Sequence, residues 1–234
     1  MDEPFSPDHQ DPKAPQLPGV AEQPQPGREQ AWVELLRTPL PYLDLEIFGR
    51  LHPVGVEQAG GLTLLRIQPT QEVKRALAPW TRRFGTTVPV FTSLEAEAGE
   101  VLAAPEDAAR WLQERPMLCS AVPVLDDLLI AARAMAVPGA TAAIRSATQQ
   151  LAYAAAALVV ATCQRWPGAH VLWSDVKNRP TLRLVAQAID FAMAAHDHER
   201  AVPWMRCMVA CDPEDAHGWR SAMESLRRPD EYRP

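Results

Sequence analysis

The sequence predicts an α+β fold: a small mixed sheet-and-helix N-terminal domain followed by an α-helical, repeat-like C-terminal region. Three observations lead there. Residues 42–48 alternate apolar with polar side chains, and strand-like runs at 53–58 and 62–67 flank a Gly60-Gly61 turn signal. Val88-Pro89-Val90-Phe91 reads as a short edge strand running into a helix whose capping box is Thr92 and Glu95. Beyond Ala140 the chain turns alanine-rich, and from Pro180 amphipathic helical segments follow one another across short polar breaks.

Composition bounds the rest. The chain has 234 residues, 47% of them hydrophobic and 22% charged, enough apolar material for a core. A net charge of −6 argues against a nucleic-acid binder, which needs clustered cations to displace counterions from phosphates. Only Lys13, Lys74 and Lys177 are lysines among 23 basic residues, a bias that fits a GC-rich bacterial genome rather than a phosphate site. Cys119, Cys163, Cys207 and Cys211 fall in apolar helical segments and read as reduced, buried residues, not a disulfide framework. The longest strongly apolar run, 151–163, is too short to span a bilayer, so no membrane insertion is expected. The first 30 residues hold no apolar signal-peptide segment, and a cytoplasmic protein is the expectation.

In chain order, residues 1–30 carry seven prolines, six acids and two bases, and read as a disordered acidic Pro-rich tail. Trp32, Leu35 and Leu36 then share one face of a short helix that Pro39 and Pro41 end. Leu43, Leu45 and Ile47 alternate with Asp44 and Glu46, the period of a strand over 42–48. Strands at 53–58 and 62–67 flank the Gly60-Gly61 hairpin turn. Thr70 caps a helix expected over 71–80, limited by Pro79. After the strand at 88–92 come a helix or turn at 94–102 and a helix at 105–113, with Pro105 at its first position and Glu106 and Asp107 in its first turn. A short strand is expected over 117–124. A helix over 125–136 then buries Leu125, Leu128, Leu129 and Ala132.

The run of hairpin, polar stretch, Val88-Pro89-Val90-Phe91-Thr92-Ser93-Leu94-Glu95, helix and Arg115-Pro116-Met117-Leu118 resembles the N-terminal domain of the SseB (enhanced serine sensitivity) proteins over residues 31–147. The family's next turn corresponds to Ala136-Val137-Pro138-Gly139, and the alanine-rich segment beyond departs from the family's second half. The resemblance implies a small α+β module with a regulatory or binding role and no catalytic residue.

The alanine-rich segment from Ala140 to Trp166 reads as one helix with Arg145, Gln149 and Gln150 on its wetter side, stopped by Pro167-Gly168. Residues 170–173 read as a connector or a short strand. Pro180 opens a helix carrying Leu184, Ala188, Phe191 and Ala195. A second helix carries Val202, Met205 and Val209, with Pro203 in its first turn, and Asp212-Pro213 opens a third with Trp219, Met223 and Leu226. Residues 180–220 resemble a degenerate tetratricopeptide unit, with Ala201, Val202, Asp212 and Pro213 at matching offsets and Ala192 where a large aromatic is usual. The domain reading is therefore 1–30 tail, 31–139 α+β domain, 140–228 helical region and 229–234 tail.

No residue set carries catalysis. Cys207 and Cys211, with His196, His198 and His217 at the ends of their helix, lack zinc-knuckle spacing and read as core, so no metal or other cofactor is expected. Asp126-Asp127 do not share a helix face, and Glu95, Glu97 and Glu100 have no histidine or nucleophile beside them. Ser174, Asp175 and His170 lack the setting of a nucleophile elbow. Seven tryptophans are more informative: Trp204 and Trp219, beside Arg200, Arg206 and Arg220, are the residue types that anchor protein interfaces. The expectation is a non-enzymatic adaptor or regulatory accessory protein, by analogy of a bacterial secretion or defence system, that binds a protein partner through these C-terminal helices. An enzyme or small-molecule binder with a pocket between the two domains, and a self-associating homodimeric subunit, stand as alternatives.

Overall fold

The computed structural model describes residues 26–85, 104–136, 141–215 and 217–227. Among these residues the chain is α+β and mostly helical: nine helices and one two-stranded antiparallel sheet near the N-terminus. The strand expected at 88–92 with its Thr92–Glu95 capping box, the segment at 94–102, the turn at 137–139 and the terminal tails up to residue 25 and from residue 228 lie outside the described residues.

Helix α1 (Pro26–Arg37) buries Trp32, Leu35 and Leu36 completely, the face that their spacing dictates. Residues 42–48 do not form the expected strand. A 3-10 turn at Leu40–Tyr42 leads into α2 (Leu45–Leu51), whose first amides donate to the Asp44 carboxylate at 2.8 and 2.9 Å. The alternation is short enough to fit either structure. The Asp44 cap, together with burial of Phe48 and Leu51 on one helical face, decides for helix.

Strand β1 (Val54–Ala59) pairs antiparallel with β2 (Leu62–Ile67), from Val54 opposite Ile67 to Ala59 opposite Leu62. Gly60 and Gly61 take φ of 58° and 80°, the left-handed pair that a two-residue hairpin needs. Leu65 and Ile67 point into the core, whereas most of β1 is exposed. On the other edge of β2, Leu65 N–H donates to His170 O at 2.7 Å and His170 N–H to Thr63 O at 2.8 Å. Residues 170–173 are thus a connector touching the sheet through one bridge.

Helix α3 (Gln71–Arg83) starts on the Thr70 cap but runs past Pro79 rather than stopping at Trp80. Trp80 and Phe84, both buried with ring centroids 5.0 Å apart, hold the turn beyond the proline in place. Helix α4 (Pro105–Gln113) has its expected bounds and packs on α1. The strand expected at 117–124 is instead a 3-10 turn (Pro116–Ser120) followed by α5 (Val122–Ala136). The free Val122 amide donates to buried His52 Nε2 at 3.2 Å, which fixes the helix start. Leu125, Leu128, Leu129 and Ala132 are all fully buried.

Helix α6 (Ala142–Gln164) packs against α1, α2, α5, α7 and α8. A single apolar core therefore runs from Trp32 to Cys211, with residues on both sides of position 139. Helix α7 (Arg179–Ala194) buries Leu184 and Ala188, but Phe191 is only half-buried and Ala195 lies outside it, exposed. The inward row continues through Val185, Ile189 and Ala192. In α8 (His198–Cys211) the buried residues are Ala201, Met205, Met208 and Cys211, and Pro203 stands in the second turn, not the first. Helix α9 (Trp219–Arg227) begins later than expected. Asp212 closes α8, its amide donating to Met208 O at 2.7 Å, and Asp215 is the residue whose carboxylate receives the Trp219 and Arg220 amides.

Candidate functional site

Helix α8 packs on α6, and side chains from the two helices form two clusters. On one side, Arg200 and Trp204 stand one turn apart on α8, and both pack on Tyr153 of α6. The Arg200 guanidinium carbon lies 4.6 Å from the Tyr153 ring centre, and the Trp204 ring meets the same ring edge-on at 5.3 Å. Gln149 Nε2 donates to the Tyr153 hydroxyl at 2.8 Å, and Asp197, which caps α8, lies 3.7 Å from Arg200 Nε. Tyr153 and Trp204 are half-buried and Arg200 is exposed.

Arg206 is not part of it. It lies on the rim of a pocket of about 490 Å³ between the end of α6, the 166–169 turn and α8, with Cys163, Trp166, Pro203, Cys207 and Cys211. Trp219 and Arg220 form a third location at the start of α9. Trp219 is half-buried and stacks on His217 at 5.4 Å, His217 in turn meets Trp173 at 4.2 Å, and Arg220 donates to Pro213 O at 3.1 Å. Of the five residues that the sequence singles out, the fold thus joins Arg200 with Trp204 through Tyr153, sends the adjacent Trp219 and Arg220 to different partners, and places Arg206 at the thiol pocket. Sequence reasoning missed Tyr153. Its signal was there: an aromatic alone in an alanine run, four residues after Gln149.

Of the other titratable groups weighed above, Glu95, Glu97 and Glu100 lie outside the described residues, and the aspartates and His170 have structural partners. Asp126 is buried and receives two hydrogen bonds from Arg183, one from Nε at 3.1 Å and one from Nη2; burial pushes its carboxyl up to about 6 against the pull of that guanidinium. Asp127 accepts from Trp80 Nε1 at 2.9 Å. Asp175 pairs with Arg66 at 3.0 Å, and His170 Nδ1 lies 3.3 Å from Ala210 O. Where β2, α3, α5 and α7 meet, a smaller, mostly apolar pocket of about 200 Å³ is lined by Ile67, Lys74, Pro123, Lys177, Pro180 and Thr181 among others. Among the described residues no group of three or more His, Cys, Asp or Glu is placed to hold a metal ion, and no helix is long and apolar enough to cross a membrane.

Comparison with known proteins finds no matching family model, no matching curated protein and no matching solved structure.

Proposed function

We propose that this chain is a non-enzymatic, cytoplasmic accessory protein, an adaptor or regulator, that binds a protein partner through the outer surface of α6 and α8. The observation that carries the reading is the Arg200–Tyr153–Trp204 cluster. Trp, Tyr and Arg are the residue types that dominate interface energetics, and side chains already stacked lose little rotamer freedom on binding. Arg200 keeps half of its side-chain surface in solvent, so its guanidinium edge is open to a carboxylate or carbonyl of the partner. The resemblance of the Val88–Glu95 motif to the SseB family bears on a binding role by analogy alone. The runner-up, a small-molecule binder at the junction of the two halves, is supported by the pocket at Lys74 and Lys177. Its volume lies below the range of about 300–1,000 Å³ usual for ligand sites, which favours the first reading.

The test is affinity capture from native extract with the full chain, with the Arg200→Ala/Trp204→Ala double variant and with Arg82→Ala as a control on the exposed face of α3. One protein recovered at near-equal amount with the full chain and control, and lost with the double variant, is the expected outcome. Full chain that comes down alone at both low and high salt overturns the reading.

A further inference from the structure

All four cysteines are free thiols, and three of them converge. Cys163 stands at the end of α6, while Cys207 and Cys211 stand one turn apart on α8 with their sulfurs 4.0 Å from each other. Cys163 comes from the facing helix and lines the same pocket as both. The three line the 490 Å³ pocket, but not equally: Cys163 and Cys211 are 7% and 6% exposed, and Cys207 is only half-buried. One sulfur therefore faces the opening and two stand behind it. The neighbouring thiols lower the Cys207 thiol from its ordinary range and raise the Cys163 thiol, in keeping with the half-exposed sulfur as the nucleophile. Arg206 lines the same pocket as the three thiols. Among the described residues Arg206 makes no ion pair, so its charge is free for a reagent.

We propose that this pocket is a thiol–disulfide exchange site for a small carboxylate-bearing organic disulfide, with Cys207 as the attacking sulfur and Cys163 as the resolving one. Cys207 Sγ attacks one sulfur of R–S–S–R; an Sγ–S bond forms, the S–S bond breaks, and RS⁻ leaves with the electron pair and takes up a proton. Cys163 then gives up its proton and attacks Cys207 Sγ, which forms the Cys163–Cys207 disulfide and releases the second R–SH. Two protein thiols lose two electrons and one disulfide becomes two thiols. Cys211 is the poorer resolving partner because residues four apart on a helix hold their Cβ atoms about 5–6 Å apart, whereas a disulfide needs about 3.8 Å. Cys163 comes from the facing helix and is not bound by that spacing.

The probe is dithiodipropionate, a dianionic disulfide, added to the reduced full-length protein, with acid quench and peptide mapping by mass spectrometry. A transient adduct on Cys207 followed by a Cys163–Cys207 cross-link is the expected result, and this mapping needs no substitution. Cys163→Ser should trap the adduct on Cys207, Cys211→Ser should leave the cross-link intact, and Cys207→Ser should lose both. Arg206→Ala should slow the reaction with the dianion about three- to fivefold, the size of an exposed ion pair, and leave neutral hydroxyethyl disulfide unaffected. A first adduct on another cysteine, reaction no faster than that of free cysteine, or a stable adduct with no cross-link would each overturn the proposal.

Discussion

His52 stands between α2 and β1 with its ring fully buried, stacked on Phe48 at 4.9 Å. Nδ1–H donates to Phe48 O at 3.3 Å and Nε2 accepts from Val122 N–H at 3.2 Å, an arrangement that only the neutral ring satisfies. Burial lowers its pKa from 6.5 to about 4. Between those values the unfolded chain binds the proton and the folded chain does not. The stability that neutral His52 supplies is therefore fully present above pH 6.5 and is lost as pH falls towards 4, by on the order of 3 kcal/mol in all. Asp126 acts with the opposite sign, since a raised carboxyl loses stability as pH rises from 3.8 to about 6. The His52 contribution is thus read as the difference between wild type and His52→Gln in urea unfolding at pH 7.5, 6.0 and 4.5. The wild type should lose its advantage over the variant as the pH drops. A difference that stays constant across the three would refute the assignment.

At the scale of elements, the β1–β2 hairpin depends on its turn. Gly60 and Gly61 both hold left-handed φ, and nothing crowds either Cβ position, so substitution there meets backbone strain alone. Gly61→Ala should cost about 1–2 kcal/mol in thermal or urea unfolding. Gly49 is the control: it lies inside α2 with open space around it, and Gly49→Ala should stabilise by about 0.5–1 kcal/mol. Equal effects at the two sites would sink the argument from φ. Much of this scale was legible in the sequence. The turn at Gly60-Gly61, the bounds of α4 and the buried rows of α1 and α5 follow from periods and caps contained in a dozen residues. The start of α9 was not legible, because Asp212 and Asp215 are both acids with capping chemistry. Asp212 is taken up by the end of α8, which leaves Asp215 to cap the next helix.

For the whole molecule, α6 is the organiser: it packs against both the N-terminal helices and the C-terminal ones, within one continuous core. Two halves that share a core should unfold together. Tryptophan fluorescence and far-UV circular dichroism should report one coincident urea transition, and Leu151→Ala in the middle of α6, at a fully buried site, should shift both by about 2–5 kcal/mol. Two separated transitions, only one of which moves, would show that the halves are independent. The candidate site exists only at this scale. Tyr153 and Arg200 are 47 positions apart, Cys163 and Cys207 are 44, and no spacing rule relates them.

The sequence by itself determined the class of fold, the inward faces of α1 and α5 and the turn of the hairpin, because amphipathic period and turn chemistry act over a few neighbouring residues. Tertiary structure alone decided the rest. Residues 45–51 became helix because Phe48 and Leu51 found a core and His52 found the Val122 amide. Helix α3 passed Pro79 because Trp80 and Phe84 were buried beyond it. Cys163 and Cys207 came to line one pocket, and Tyr153 met Arg200, because α8 packs on α6. Contacts between residues so distant in the chain are set by which surfaces pack, and that information is not local.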